Sequence, residues 1–415
     1  MKVDVPPGIS GIDSATHNGS GSVTDGGIVF VAGEASGDLL AAPVIRWLSR
    51  GPHAVPTAGI AGDRMIAAGC KPWHHVRELS VRGYWEVLRE VPRLLQLRRA
   101  LVRRLAEGHH AALVGVDAPD FNLALETAVR RRGVPTVHYV SPSIWAWRAE
   151  RVERIRRAVD RVLLVFPFEE AIYARCRIPA TYVGHPLASA IPLVPDRAAA
   201  RGRLGHDGAG LLVCLMPGSR TAEITSIGPV FFAAAARLLR RAAGARFLVP
   251  VADPSLRPLL EALRAAEPAC AARIDLIDGH AHDCLEACDG VLVASGTATL
   301  EAALYKRPMV ISYRMPAVSA WIMRRIGGYL PWVGLPNILA GESLVPELLQ
   351  EAATPEALAQ ALESVLEDNA AAAHRVEQYL RLHEALRCDT PALAAEAILQ
   401  TIAQRRAGAR VQIRG

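Results

Sequence analysis

The stretch Ile28-Val29-Phe30-Val31-Ala32-Gly33-Glu34-Ala35-Ser36-Gly37-Asp38 decides the fold. Five apolar residues in a row predict a strand buried on both faces, as strands of parallel sheets are. The turn Gly33–Asp38 then opens an amphipathic stretch, Asp38–Arg50, long enough for a crossover helix. A strand, a glycine turn and a helix are the start of a βαβ unit. Glycines let the backbone turn sharply there, and free N–H groups at a helix start attract polar or anionic groups. Asp38 or Ser36 can cap that helix. Glu34 contributes little to packing, which marks the turn as a place for chemistry.

The same pattern recurs along the chain. Ala112–Val116, Thr136–Val140, Arg161–Phe166 and Thr181–Val183 predict further strands, with Asn122–Arg132 as another crossover helix. A second series follows at Leu211–Met216, Arg246–Val251, Ile274–Ile277, Gly290–Ala294 and Met309–Tyr313. Between the series, Pro192, Pro195, Gly202, Gly205 and Gly208 mark a linker. From Thr354 onward the pattern is helical. The fold class is therefore α/β, two Rossmann-like domains with a helical C-terminal tail. The expected segments are a disordered leader over 1–27, a first domain over 28–186, a linker over 187–210, a second domain over 211–353 and a helical segment over 354–415. Ligands of such folds bind beyond the carboxyl ends of the strands.

Composition narrows the function classes. Of 415 residues, 51% are hydrophobic and 21% charged, which describes a globular chain. A net charge of +6 points weakly to an anionic partner. The seven cysteines are scattered through apolar segments, which suits reduced thiols rather than a disulfide framework. The leader is rich in Gly, Ser, Thr and Asp and lacks the basic-then-apolar order of a signal peptide. The most apolar run, Ile28–Leu48, contains Glu34, Asp38 and Arg46, so it is no ordinary transmembrane helix. There is no P-loop, HExxH, GxSxG or GxGxxG, which argues against the usual ATPases, zinc proteases, serine hydrolases and dinucleotide oxidoreductases.

Three more strand ends carry chemistry. Asp117 emerges after Val116, where a positioned carboxylate suits a general base, while Asp120 is placed to cap the following helix. Two aspartates three apart can also hold Mg²⁺. Pro119 splays these two, so no metal is expected. Gly218-Ser219-Arg220, with Glu223 behind it, makes a diphosphate site in which arginine can grip phosphate oxygens with two N–H groups. Ser295, Gly296 and Thr297 can present backbone N–H groups to phosphate, and Glu301, one turn into the helix, can hold ribose hydroxyls. His280, His282, Cys284 and Cys288 suggest zinc, but Ala281, Cys284, Leu285 and Cys288 form an apolar helical stripe, which favours core cysteines. Over Ser80–Leu105, Tyr84, Trp85, Leu88, Arg89 and Arg93 mix aromatics, leucine and arginine as a helix on an anionic bilayer would, the alternative being an ordinary crossover helix with a solvated arginine face. Pro92 predicts a kink or two short helices there. This basic patch contains no RNA-binding motif, and no nucleic-acid partner is expected.

From about Ile28 to Arg387 the chain resembles the lipid-A-disaccharide synthase family. The resemblance is carried by AGEASGDLLAA (32–42), GIAGDRMIAAGC (59–70), LSVRGYWEVL (79–88), GVDAPDFNLALE (115–126) and HYVSPSIWAWR (138–148). It continues through VGHPL (183–187), MPGSR (216–220), ASGTATLEAAL (294–304), PMVISYR (308–314) and LPNILAGESLVPELLQE (335–351). The sequence departs from the family pattern at Arg82, at Tyr84-Trp85, at Ser189 and in the leader. The resemblance implies a GT-B-type, inverting UDP-sugar glycosyltransferase that joins UDP-2,3-diacylglucosamine to 2,3-diacylglucosamine 1-phosphate and needs no metal cofactor. It further implies Asp117 as base, Glu34 as an essential carboxylate and Arg220 at the diphosphate. Ser295, Gly296, Thr297 and Glu301 fall on the UDP-binding helix start, and Asn337 reaches UDP. Also implied are a homodimer through exchanged C-terminal helices and a peripheral place on the cytoplasmic face of the inner membrane. Two other readings share the two-domain expectation, a UDP-sugar 2-epimerase and a non-catalytic UDP-binding protein at a membrane surface.

Overall fold

The computed structural model describes residues 27–50, 54–79, 84–142, 150–208, 210–314 and 332–414, without the side chains of 35, 84–90, 150 and 409–414. The leader (save Gly27) and the side chains of Tyr84, Trp85, Leu88 and Arg89 lie outside the described residues.

Two parallel sheets form the molecule. The first contains β1 (Ile28–Ala32), β2 (Thr57–Ala61), β3 (Lys71–His75), β4 (Ala112–Val116), β5 (Thr136–Tyr139), β6 (Arg161–Leu164) and β7 (Ala180–Tyr182). They lie in the order β3-β2-β1-β4-β5-β6-β7. The second contains β8 (Leu212–Met216), β9 (Arg246–Val251), β10 (Ile274–Asp278), β11 (Gly290–Ala294), β12 (Met309–Tyr313) and β13 (Glu347–Leu349), in the order β10-β9-β8-β11-β12-β13. The central strands β1, β4 and β11 are buried at every position, because helices cover both faces. In each sheet the chain reverses its winding at one place, between β1 and β4 and again between β8 and β11. A crevice opens at such a switch point beyond the strand ends.

The helix Ala35–Leu48 follows β1, and Pro119–Arg130 follows β4. In the second half, Thr221–Arg241 follows β8 and Thr297–Leu304 follows β11. Thr221–Arg241 is long and apolar enough to cross a membrane, yet Ile224, Ile227, Phe231, Phe232 and Leu238 are buried in the second core, so it is a core helix. The stretch with linker composition carries two short helices, Pro186–Ala190 and Arg197–Arg203. The second is held to the second half by Arg197 and Arg201 on Asp289 (2.7 and 2.6 Å) and by Arg203 on Asp283 and Glu286 (2.7 and 2.6 Å).

The helical end of the chain divides its contacts. Arg237 and Arg241 both reach Glu356 at 3.0 Å, which fixes helix Pro355–Glu367 to the second half. Helix Asn369–Leu386 then leads back toward the first half, where Leu386 O accepts from His185 N at 2.9 Å. Helix Thr390–Arg414 lies against the first sheet, with Arg161 Nε donating to Thr401 Oγ1 at 3.0 Å and Arg405 3.4 Å from Asp160.

Helix Tyr84–Glu107 is continuous through Pro92, one helix rather than the two short ones that proline could produce. Pro92 is exposed, so the hydrogen bond it cannot make is lost toward solvent rather than inside a core. The far half of this helix is an ordinary crossover, with Leu101 and Leu105 buried and Arg104 stacked 3.9 Å over the Trp73 ring.

Candidate active site

The turns after β1 and β4 interlock. A Cβ on Gly33 would stand 2.1 Å from Cβ of Ala118, and one on Gly37 would stand 3.2 Å from the Val116 carbonyl oxygen. Glycine at both places lets the two loops touch. Glu34 is extended (φ −144°, ψ 174°) and projects from the start of helix Ala35–Leu48 with its side chain 56% exposed. Asp117 and Ala118 both adopt left-handed backbone, with φ of 54° and 44°. That conformation turns Asp117 out of the sheet, where Ser36 Oγ donates to its Oδ2 at 3.2 Å. Gly33→Ala forces the interlocked loops apart, a packing strain of about 1–3 kcal/mol. The expected result is a lowered melting temperature together with a loss in kcat of about tenfold or more, measured on the purified variant, because catalytic alignment is sensitive to small displacements.

Two capping expectations are corrected. Asp38 does not cap its own helix. It is buried, and its carboxylate accepts from the backbone N–H groups of Gly62, Arg64 and Met65 at 3.0, 3.1 and 2.9 Å, tying the end of β2 to helix Asp63–Ala67. Ser36 serves Asp117 instead. Asp120 is not a cap either: the N-cap position belongs to Ala118, which has no capping side chain, and the Asp120 carboxylate stands exposed 3.7 Å from Arg154. The two aspartates thus face different partners, as the Pro119 turn predicts.

On the second half, Gly218 has a φ of 122°, and a Cβ there would meet the Glu223 carboxylate at 2.5 Å. Glu223 Oε2 accepts from the N–H groups of Ser219 and Arg220 at 3.0 and 3.3 Å. A carboxylate of the same turn thus engages the Ser219 and Arg220 N–H groups, which leaves the arginine side chain as the group this turn can offer to a diphosphate. The arginine side chain is 68% exposed and stands near two carboxylates, 3.5 Å from Glu34 and 3.9 Å from Glu223. After β11, Gly296 (φ 145°) begins helix Thr297–Leu304 with no side-chain cap on its first N–H groups. Ser295 Oγ donates to Val333 O at 3.3 Å. Glu301 is half-buried, and desolvation raises its carboxyl above the ordinary range, partly offset by His282 nearby.

Asn337 is fully buried, and its amide donates to Val345 O and Glu347 Oε1 and accepts from Val345 N, each at 2.9 Å. Glu347 in turn accepts from Val333 N and Gly334 N, both at 2.9 Å. Asn337 therefore braces the loop that Ser295 touches, with its side-chain amide engaged within this chain. Neither Glu223 nor Glu347 was singled out for these roles by sequence pattern, because each acts on backbone groups that only the folded turn brings within reach.

The decisive contact crosses between the halves. Arg220 Nη2 lies 3.5 Å from Glu34 Oε2, so the turn after β8 meets the turn after β1. Cys284 and Cys288 are buried in the core with their thiols pushed up to about 12 by desolvation, as the apolar stripe predicts. His282 Nδ1 is 3.1 Å from the Tyr305 hydroxyl, and His280 pairs with Asp283 at 2.8 Å. On helix Tyr84–Glu107, Arg93 is exposed and donates to Glu78 O at 2.6 Å, with Val91 exposed beside it.

The family described as lipid-A-disaccharide synthetase matches residues 28–398. A lipid-A-disaccharide synthase of Cupriavidus pinatubonensis is 49% identical over 388 residues, covering 93% of this chain and 96% of its own. One from Paraburkholderia phymatum is 50% identical over 380 residues, covering 91% and 97%. Among solved structures, a UDP-GlcNAc 2-epimerase of Neisseria meningitidis bound to UDP-GlcNAc aligns with a TM-score of 0.61 at 11% identity, covering 91% of this chain and 99% of that one. MurG of Acinetobacter baumannii aligns at 0.55 and 14%, covering 90% and 99%. At such identities these last two likenesses speak to the fold alone, and the two-domain α/β expectation agrees with them.

Proposed function

The chain belongs to the lipid-A-disaccharide synthetase family, and from that premise we propose how its residues divide one inverting sugar transfer. The reaction joins two acylated sugars: 2,3-diacylglucosamine leaves UDP-2,3-diacylglucosamine for the 6-hydroxyl of 2,3-diacylglucosamine 1-phosphate, giving the β-1′,6-linked disaccharide 1-phosphate and UDP. The epimerase reading shares only the fold, whereas about half the residues are shared with synthases.

Asp117 takes the proton from the acceptor 6-hydroxyl as that oxygen bonds the donor's anomeric carbon. The bond from that carbon to UDP breaks, and the electron pair departs on the diphosphate. Arg220 faces the developing charge. Glu34 faces the Arg220 guanidinium and keeps it aimed across the gap, which favours Asp117 over Glu34 as the base. Glu301 holds the ribose hydroxyls, with the open N–H groups of helix Thr297–Leu304 toward phosphate. The observation that carries this reading is the 3.5 Å approach of Arg220 to Glu34, one loop away from the Ser36–Asp117 hydrogen bond. The arginine supplies the compensating charge, so the transfer runs without a metal. Mass spectrometry of products from defined donor and acceptor tests the scheme. Disaccharide phosphate plus UDP, at a rate unchanged by EDTA, supports it; an epimerised donor without acceptor, or a reaction stopped by EDTA, contradicts it.

Two-chain substrates reside in a bilayer while UDP is a cytoplasmic leaving group, so the enzyme works at the inner face of the inner membrane as a peripheral protein. Exposed Val91 and Arg93, with exposed Arg99 and Arg103 further along the same helix, support that contact. The family resemblance further implies a homodimer through exchanged C-terminal helices; within one chain the tail docks on the first half, Arg161 Nε donating to Thr401 Oγ1 at 3.0 Å. In sedimentation the protein is expected at dimer mass, and it should be carried down by anionic vesicles at low salt and released at high salt. Monomer mass, or no vesicle binding, counts against these placements.

A further inference from the structure

Helix Pro119–Arg130 is entered through two successive non-glycine residues in left-handed backbone, Asp117 and Ala118. Such backbone costs about 1–3 kcal/mol per residue and persists only where its surroundings enforce it. The Asp117 N–H is tied to Tyr139 O at 2.9 Å, and the Asp117 carbonyl is held by Asn122. Asn122 has no exposed surface, and its Nδ2 donates to Asp117 O at 2.8 Å, to Val31 O at 3.1 Å and to Val116 O at 3.3 Å. An amide nitrogen has two hydrogens, so these three carbonyls share them. One of the carbonyls belongs to the turn that carries Asp117. Another belongs to β1, three residues before Glu34. A single buried amide therefore spans the switch point and ties both carboxylate-bearing loops to one atom.

The rest of this helix face keeps Asn122 in place. Gly115 on β4 leaves the space that Asn122 and Glu126 fill: a Cβ there would stand 2.2 Å from Glu126 Oε1 and 3.0 Å from Asn122 Cβ. Glu126, one turn beyond Asn122, pairs with His138 Nδ1 at 2.8 Å, and both side chains are fully buried. His138 lies beside Gly115 in the register of β4 and β5. The helix can neither rotate nor slide without breaking this buried pair.

We propose that Asn122 is a positioning residue for sugar transfer, fixing the Asp117 turn against the Glu34 loop so that the base points at the acceptor hydroxyl. This rests on the reading of Asp117 as base. Asn122 touches no substrate and acts through Asp117, which a double-mutant cycle reads directly. Asn122→Ala is expected to lower kcat about 100-fold, the scale of a misplacement near 1 Å. KM for both substrates and the affinity for UDP should stay within about twofold, because binding and chemistry are separable in this comparison. Added to Asp117→Asn, the same change should cost no more than about threefold further, since a residue acting through Asp117 has little left to position. Asn122→Ser, which keeps a shorter donor, should recover part of the rate. UDP-binding stoichiometry normalises each value to folded protein.

A slow Asp117→Asn variant combined with a full 100-fold further loss in the double variant overturns the role of Asn122 alone. So does a loss in UDP affinity that matches the loss in kcat. An Asp117→Asn variant with the natural rate overturns the base assignment and this role with it.

Discussion

Asp117→Asn slows transfer by about a thousandfold or more while leaving UDP binding within about twofold of the natural protein, the range expected when a general base is removed without disturbing a binding site. The geometry sets this split. Asp117 belongs to the first sheet and receives a hydrogen bond from Ser36, whereas the residues assigned to UDP belong to the second. Asparagine keeps the size of the side chain and can still meet Ser36, so the interlocked turns are retained. Steady-state rates with saturating acceptor, beside calorimetric titration with UDP, measure both quantities. Equal losses in rate and UDP affinity would make Asp117 a structural residue.

Arg220→Ala is expected to lower kcat/KM by about a hundredfold to a thousandfold, the scale on which one preorganised charge-stabilising donor acts. In contrast to Asp117→Asn, it also weakens UDP binding. The turn after β8 leaves little to substitute for it, because Glu223 already holds the N–H groups of Ser219 and Arg220. Removing the guanidinium also leaves Glu34 facing the gap without its partner at 3.5 Å. Arg220→Lys restores charge but not the two-pronged grip, so its rate should fall between alanine and arginine. Rates and UDP titration of the three proteins check the order; a lysine variant equal to arginine would show that charge alone suffices.

The strands that build the two crevices were legible as sequence because they are buried on both faces and read as unbroken apolar runs. β1, β4, β9, β11 and β12 fall on the bounds those runs predict. β2 and β3 were not legible. Thr57-Ala58-Gly59-Ile60-Ala61 includes Gly59 at φ 139°, where a Cβ would stand 1.9 Å from the Phe30 carbonyl oxygen, so closeness to β1 replaces hydrophobic bulk. Lys71-Pro72-Trp73-His74-His75 is an edge strand with no buried residue, and no hydrophobic pattern marks it. In the site, glycine turns and charged residues mark Glu34, Asp117 and Arg220 in the sequence, and the fold places them just beyond β1, β4 and β8. That the Ser219 N–H and the Asn337 amide are engaged by Glu223 and Glu347 is not legible, because sequence shows which groups exist but not which are already paired. Asn122 illustrates the same limit: it reads as the opening of a helix, yet two of its three acceptors lie on neighbouring strands β1 and β4.

Inverting transfer by these residues requires that the donor be held by the second sheet and presented to the first. A crystal structure of the Asp117→Asn protein with UDP-2,3-diacylglucosamine measures this most directly. The prediction is diphosphate oxygens about 2.7–2.9 Å from the Arg220 guanidinium, ribose against Glu301, and the anomeric carbon turned toward position 117 across the gap. A nucleotide bound away from Arg220, or a sugar directed away from position 117, would contradict it.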